Sequence, residues 1–219
     1  MTSASKKSLV INEIFFSIQG ESTLAGHPCV FVRLTACDLR CAWCDTAYAF
    51  TEGTEMSYDA IAGKVKEYGC TLVEITGGEP LMQENVYALI QRLCDEGCKV
   101  MIETGGHRDI ARIDPRVKRI MDIKCPGSKM EKRNRWENID LLTPGDEVKF
   151  VIADETDYRW AKDIVLRYAL PTRCTILFSP VFGIIENRAL AGWILRDRLP
   201  VLFQLQMHKY IWDPTARGV

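Results

Sequence analysis

The chain has 219 residues, 47% hydrophobic and 26% charged, with a formal net charge of −1. That composition suits one globular core, and the neutral balance argues against nucleic acid or an anionic membrane as a direct partner. The basic N-terminal stretch 1–9 has no apolar run behind it, because Asn12 and Glu13 interrupt, so it does not read as a leader. No apolar run approaches a membrane span, and the expected setting is the cytoplasm.

Short apolar, β-branched runs alternate with helix-period stretches. The first candidate strand is 10–16, followed by 29–34 and then a loop holding three cysteines. A helix is expected over 58–68, with Ser57 as its N-cap and Gly69 after its end. Strand 71–76 leads through "TGGEP" into a helix over 84–96 closed by Gly97. Strands 99–103 and 119–123 follow, with room for only a short helix between them. A long loop, 125–144, precedes strand 147–152 and a helix over 156–167 that Thr156 is expected to cap. Strand 175–178, a helix over 186–196 and strand 201–205 complete the series. Repeated βα units imply a parallel sheet with right-handed crossovers. About six units are too few to close an eight-fold barrel, so the expected fold is α/β, a partial (βα)6-type barrel with N- and C-terminal additions, in a single domain over 1–219. Runs such as "VEI" and "VKFVI" read as continuously apolar, as strands buried on both faces should.

In such folds ligands bind at the C-terminal ends of the strands. Arg33 and the cysteine loop, "TGGEP", "ETGG", "DIKCPG" and "FSPVFG" all follow strands, and the last strand runs into "QMHKYIWDP". The motifs are therefore expected on one rim.

Of nine cysteines, Cys29, Cys70, Cys94, Cys98, Cys125 and Cys174 are scattered and read as small buried hydrophobes. Cys37, Cys41 and Cys44 lie within eight residues, in the loop 35–50. Thiolates at CX3CX2C spacing suit zinc or an iron–sulfur cluster. A structural zinc site needs a fourth ligand, and no second CxxC or HxxxH pair exists. A four-iron cluster on three cysteines keeps one iron open for a small molecule.

This spacing, with Trp43 before the last cysteine and the glycine turn "TGGEP" about thirty residues on, resembles the radical S-adenosylmethionine (SAM) enzymes. "SIQGES", "CDT" and "QMHKYIWDP" narrow the resemblance to the 7-carboxy-7-deazaguanine synthase family, over nearly the whole chain. The resemblance implies one [4Fe-4S] cluster on Cys37, Cys41 and Cys44, SAM on its open iron, and Mg²⁺ at Thr46. It implies the conversion of 6-carboxy-5,6,7,8-tetrahydropterin to 7-carboxy-7-deazaguanine, a carbon–nitrogen lyase reaction begun by hydrogen abstraction at C6, in the synthesis of queuosine and related deazapurines. SAM contacts are implied at Trp43, Cys44, Asp45, Gly78, Glu79, Glu103, Cys125, Pro126, Gly127, Ser179, Pro180, Val181 and Phe182. Substrate contacts are implied at Ile18, Gln19, Gly20, Glu21, Arg33, Thr76, His208 and Pro214.

Some roles stay open. Glu103 is either a proton-transfer group or a SAM contact. Arg33 either clamps the substrate carboxylate or pairs with Glu13 or Glu21. Residues 215–219 extend past the point where some members of the family end and contact the pterin through their terminal carboxylate; here either Val219 or a side chain takes that part. The resemblance also implies a homodimer and an external, flavodoxin-type electron donor. Two rival readings remain: an activase of glycyl-radical enzymes, and a zinc-stabilised binding module.

Overall fold

The computed structural model describes residues 7–219; most of the basic N-terminal stretch lies outside the described residues. Nine strands form one open sheet: β1 (Ser8–Ile18), β2 (Pro28–Leu34), β3 (Thr54–Ser57), β4 (Leu72–Gly77), β5 (Lys99–Thr104), β6 (Lys118–Asp122), β7 (Glu147–Ile152), β8 (Thr175–Pro180) and β9 (Leu202–Phe203). Their spatial order is β3-β1-β2-β4-β5-β6-β7-β8-β9. Every pair from β2 to β9 is parallel, and β1 pairs antiparallel with both β2 and β3. The sheet does not close on itself, as expected of a partial barrel, and β1 with β3 forms the N-terminal addition.

Four helices carry crossovers: α1 (Tyr58–Glu67), α2 (Val86–Asp95), α3 (Glu155–Arg167) and α4 (Asn187–Asp197), with a short α5 (His208–Ile211) after β9. Ser57 caps α1 as expected, accepting from the Ala60 N–H. Thr156 does not cap α3. Asp154 does, accepting from the Asp157 N–H at 2.9 Å; its carboxylate also suits the positive end of the helix. No helix forms between β5 and β6. Asp109 and Asp114 bind the backbone N–H groups of Ala111 and Arg116 at 2.8 and 2.9 Å, and such local turns compete with helix. The long loop resolves into three 3-10 turns, Pro126–Ser128, Glu131–Arg133 and Trp136–Leu141.

The parallel strands are two-faced rather than apolar on both sides. Residues such as Val73, Ile75, Val100, Ile102, Val148 and Phe150 turn toward the helices and join the main core. Their alternates, spaced by two along each strand, carry Arg33, Glu74, Thr76, Glu103, Asp122 and Lys149 on the opposite, concave face. That polar face is the structural basis of the site.

Candidate active site

A cavity of about 600 Å³ opens at the C-terminal rim of the strands, a size suited to small ligands. Cys37, Cys41 and Cys44 line it from the loop after β2. That loop is held from several sides. The Ala36 carbonyl accepts from the Glu79 N–H and the Ala42 N–H donates to the Ser128 carbonyl, at 2.8 and 3.1 Å. Asp38 accepts from His107 at 2.7 Å and from Arg108 and Arg133 at 3.1 Å each. Burial opposes its charge, but His107 and Arg108 hold its carboxyl down at about 2. Gly78 packs so closely that a Cβ would collide with the Ala36 carbonyl oxygen. The glycine turn and the cysteine loop therefore form one unit.

Glu79, fully buried, accepts from Thr104 Oγ1 at 2.8 Å, the Gly105 N–H at 2.7 Å and the Leu81 N–H at 3.0 Å. Its side chain ties the glycine turn to the loop after β5. Trp43 lies against Gly127, where a Cβ would meet the indole at 3.1 Å and Asp157 Oδ2 at 2.6 Å. The 125–128 segment thus packs directly on the cysteine loop.

The floor is a buried charge network centred on Lys149, 4% exposed. Its ammonium donates to Glu21 at 2.7 Å and to Glu103, and Asp122 Oδ1 stands at 3.6 Å. Burial disfavours the charge, yet these carboxylates raise the lysine pKa well above its ordinary value. Burial raises the Glu103 carboxyl, with Lys149 opposing. Burial pushes Glu21 upward too, but Lys149 and His208 outweigh it and the carboxyl lies low. Lys124 donates to Asp122 at 2.6 Å.

The "SIQGES" segment spans this face. Gln19 donates to Glu74, Glu21 accepts from Lys149 and from Gln206 Nε2 at 2.9 Å, and Ser22 donates to Glu147 at 3.2 Å. Arg33 pairs with Glu13 at 2.7 Å rather than with Glu21, and Tyr48 donates to the same Glu13 oxygen at 2.9 Å. Gly20 abuts the His208 ring, whose pKa burial lowers. Asp45 accepts from Lys209 of α5 at 2.5 Å and from Thr46 at 3.0 Å. Residues 214–219 all border the cavity; Arg217 pairs with Glu52 at 2.8 Å and lies 3.8 Å over the Tyr48 ring.

Ile18, Gln19, Gly20, Glu21, Arg33, Trp43, Asp45, Thr46, Thr76, Gly78, Glu79, Glu103, Cys125, Val181, Phe182, His208 and Pro214 all stand at the cavity wall. Pro126, Gly127, Ser179 and Pro180 do not, although Pro126, Gly127 and Pro180 each adjoin a residue that does. Sequence reasoning missed Lys149, Glu74, Asp122 and Lys209. The first three left a signal: charged residues inside β-branched runs, each in step with a polar neighbour two positions away.

The profile of the Radical SAM superfamily matches residues 32–169. The chain is 50% identical over 214 residues to the 7-carboxy-7-deazaguanine synthase of Chlorobaculum tepidum, covering 96% of this chain and 97% of that protein. The chain belongs to the 7-carboxy-7-deazaguanine synthase family of radical SAM proteins. A synthase of the same name from Koribacter versatilis is 45% identical, covering 95% of this chain and 99% of that one. A crystal structure of QueE from Escherichia coli shares the fold, with a TM-score of 0.76 at 21% identity, over 92% of this chain and 95% of that chain.

Membership of the superfamily implies a [4Fe-4S] cluster and SAM, and the thiols present suit the cluster. Three thiols, Cys37, Cys41 and Cys44, share the cavity wall, though among the described residues no three or more His, Cys, Asp or Glu side chains, these included, converge on a single point. A four-iron cluster takes each thiolate on a different iron, so its ligands need not converge on one point. Burial raises all three thiols in the free chain. Among the described residues no helix is long and apolar enough to cross a membrane.

Proposed function

We propose that the chain converts 6-carboxy-5,6,7,8-tetrahydropterin to 7-carboxy-7-deazaguanine with release of ammonia. The observation that carries this reading is the shared lining of one cavity by Cys37, Cys41, Cys44 and Gly78 on one side and Gln19, Glu21, Arg33 and His208 on the other. A cluster site with no charged pocket beside it would fit an activase that acts on a protein backbone; the buried network around Lys149 favours a small polar substrate.

When bound, the cluster and SAM supply the 5′-deoxyadenosyl radical that begins the reaction. The chain's own groups do the rest. Cys37, Cys41 and Cys44 hold the cluster. Gly78 would offer its close-packed backbone to SAM, and Trp43, Asp45, Glu79 and the segments at 125–127 and 179–182 would supply its further contacts. The Nη groups of Arg33, beyond the Nε that Glu13 holds, receive the substrate carboxylate. Thr76, His208 and the loop 18–21 border the ring, and Pro214 and the tail border the mouth. Departure of a ring nitrogen as ammonia requires a proton. Glu103, raised by burial and held by Lys149, is the group we assign to that transfer.

Thr46, whose hydroxyl donates to Asp45, supplies a hard oxygen for Mg²⁺. Replacing it with alanine is expected to leave iron and sulfide content unchanged while raising the Mg²⁺ concentration for half-maximal turnover; an unchanged Mg²⁺ titration removes Thr46 from the metal site. The reading also has the chain act as a single domain in the cytoplasm, as a homodimer fed by a flavodoxin-type donor, without direct nucleic-acid binding. The test is anaerobic incubation of the reconstituted protein with reductant, SAM, Mg²⁺ and the tetrahydropterin. Mass spectrometry is expected to find 7-carboxy-7-deazaguanine; SAM cleavage with the pterin intact contradicts the substrate assignment.

A further inference from the structure

Among the described residues, Glu74 is the carboxylate of the concave face that makes no ion pair; Lys149 favours its charge only from a distance. It is 4% exposed, in the middle of β4, and borders the cavity. The two cations nearest by strand order are committed elsewhere: Lys149 to Glu21, Glu103 and Asp122, and Arg33 to Glu13. Among the described residues its only hydrogen-bond donor is the Gln19 amide, which meets Oε2. Gln19 is itself fixed, since its Oε1 accepts from the Glu21 N–H at 3.1 Å. A carboxylate can accept about four hydrogen bonds, so Oε1 and part of Oε2 remain for a ligand. Burial, followed by the charge of Glu103, pushes this carboxyl up to about 8. That shift measures how poorly the protein alone supports the charge, and a ligand bringing N–H donors makes good the deficit.

Position along the strand fits the same idea. Arg33 pairs in register with Thr76, and Glu74 with Phe31, two residues deeper. At about 3.3 Å per residue this sets Glu74 roughly 7 Å below the Arg33 level, about the length of a fused two-ring heterocycle. A ring whose carboxylate meets Arg33 at the rim presents its far edge to Glu74. The Phe31 ring, stacked on Phe15 at 4.8 Å, flanks that path.

We propose that Glu74 determines the specificity of the pocket by accepting the adjacent N3–H and 2-amino donors of a 2-amino-4-oxopyrimidine edge. The assignment rests on the pterin reading above and adds to it which edge is read and by which residue. A 2,4-dioxo ring keeps the N3–H but turns a carbonyl oxygen toward the carboxylate in place of the amino group, so it is rejected. A site built to pair a donor discriminates strongly against the analogue that lacks it.

The test is equilibrium dialysis of the cluster-loaded, unreduced protein with SAM against 6-carboxypterin and 6-carboxylumazine, which differ at position 2. The wild-type protein is expected to prefer the pterin by about tenfold or more. Glu74→Gln, whose amide donates to a 2-oxo group, is expected to bring the two affinities within about threefold of each other, chiefly by weakening the pterin. A wild-type ratio near one overturns the proposal without any variant. A ratio preserved in Glu74→Gln overturns it while leaving the pterin reading in place. Wild-type protein that binds neither ligand overturns the pterin reading and this assignment together.

Discussion

Lys149 sets one positive charge among Glu21, Glu103 and Asp122 in a nearly closed space. Desolvating such charges is costly, and the arrangement holds only while each has its partner. Lys149→Met removes the shared partner of three carboxylates. It is expected to lower stability by about 3–5 kcal/mol, the range for breaking a buried pair, in a denaturant melt of the full chain. A loss under about 1 kcal/mol would mean that water already supports these carboxylates. The same residues explain what the sequence hid. Lys149 and Glu74 sit in "VKFVI" and "VEI", where β-branched neighbours dominate and the run reads as apolar on both faces. The alternation was present, with Glu74 in step with Thr76 and Lys149 with Glu147. Reading it required knowing that one face of the sheet is a cavity.

The cysteine loop is positioned by elements distant in sequence. His107 and Arg108 follow β5, Arg133 lies in the segment between β6 and β7, and all three meet at Asp38. His107 is nearly buried and stands 3.6 Å from Glu79, so the clamp reaches the glycine turn. Asp38→Ala is expected to speed loss of iron to a chelator severalfold while moving the melting temperature little, because the residue is partly exposed and lies outside the main core; an unchanged rate of iron loss removes Asp38 from the clamp. Most strands and four helices were legible, since turn glycines and apolar spacing are local signals. The exchange of Thr156 for Asp154 at the α3 cap was not, because both are good capping residues and only the backbone geometry chooses. β3 was missed for a different reason: Thr54–Ser57 is short and mostly exposed, and pairing with β1 alone makes it a strand. The cysteine spacing, "TGGEP" and "SIQGES" were legible as motifs, but the docking of Gln19 on β4 and Glu21 on β7 is a product of the whole sheet.

Across the whole molecule, buried carboxyls shifted in opposite directions fix how stability follows pH. Glu74 is raised from 4.5 to about 8 in the folded chain, so its contribution is full below 4.5 and is lost as the pH rises through about 8. Asp38 and Asp45 are lowered from 3.8 to about 2, Asp38 by His107 and Asp45 by Lys209, each against the effect of burial. Their contribution is present above 3.8 and is lost as the pH falls through about 2. Stability is therefore expected to decline on both sides of a mildly acidic optimum. Glu74→Gln should flatten the alkaline limb in thermal melts across this range and leave the acid limb in place; an alkaline limb of unchanged slope would show that another group governs it.

At the same scale, the open sheet, the cysteine loop and the Lys149 floor together bring a radical source to one end of a polar pocket. The most direct test of that arrangement is the fate of hydrogen at C6 of the tetrahydropterin. In a single anaerobic turnover with substrate deuterated at C6, mass spectrometry is expected to find deuterium in the 5′-position of the adenosyl group. Product formed with an unlabelled adenosyl group, or label retained in an unreacted pterin while SAM is cleaved, would contradict the account.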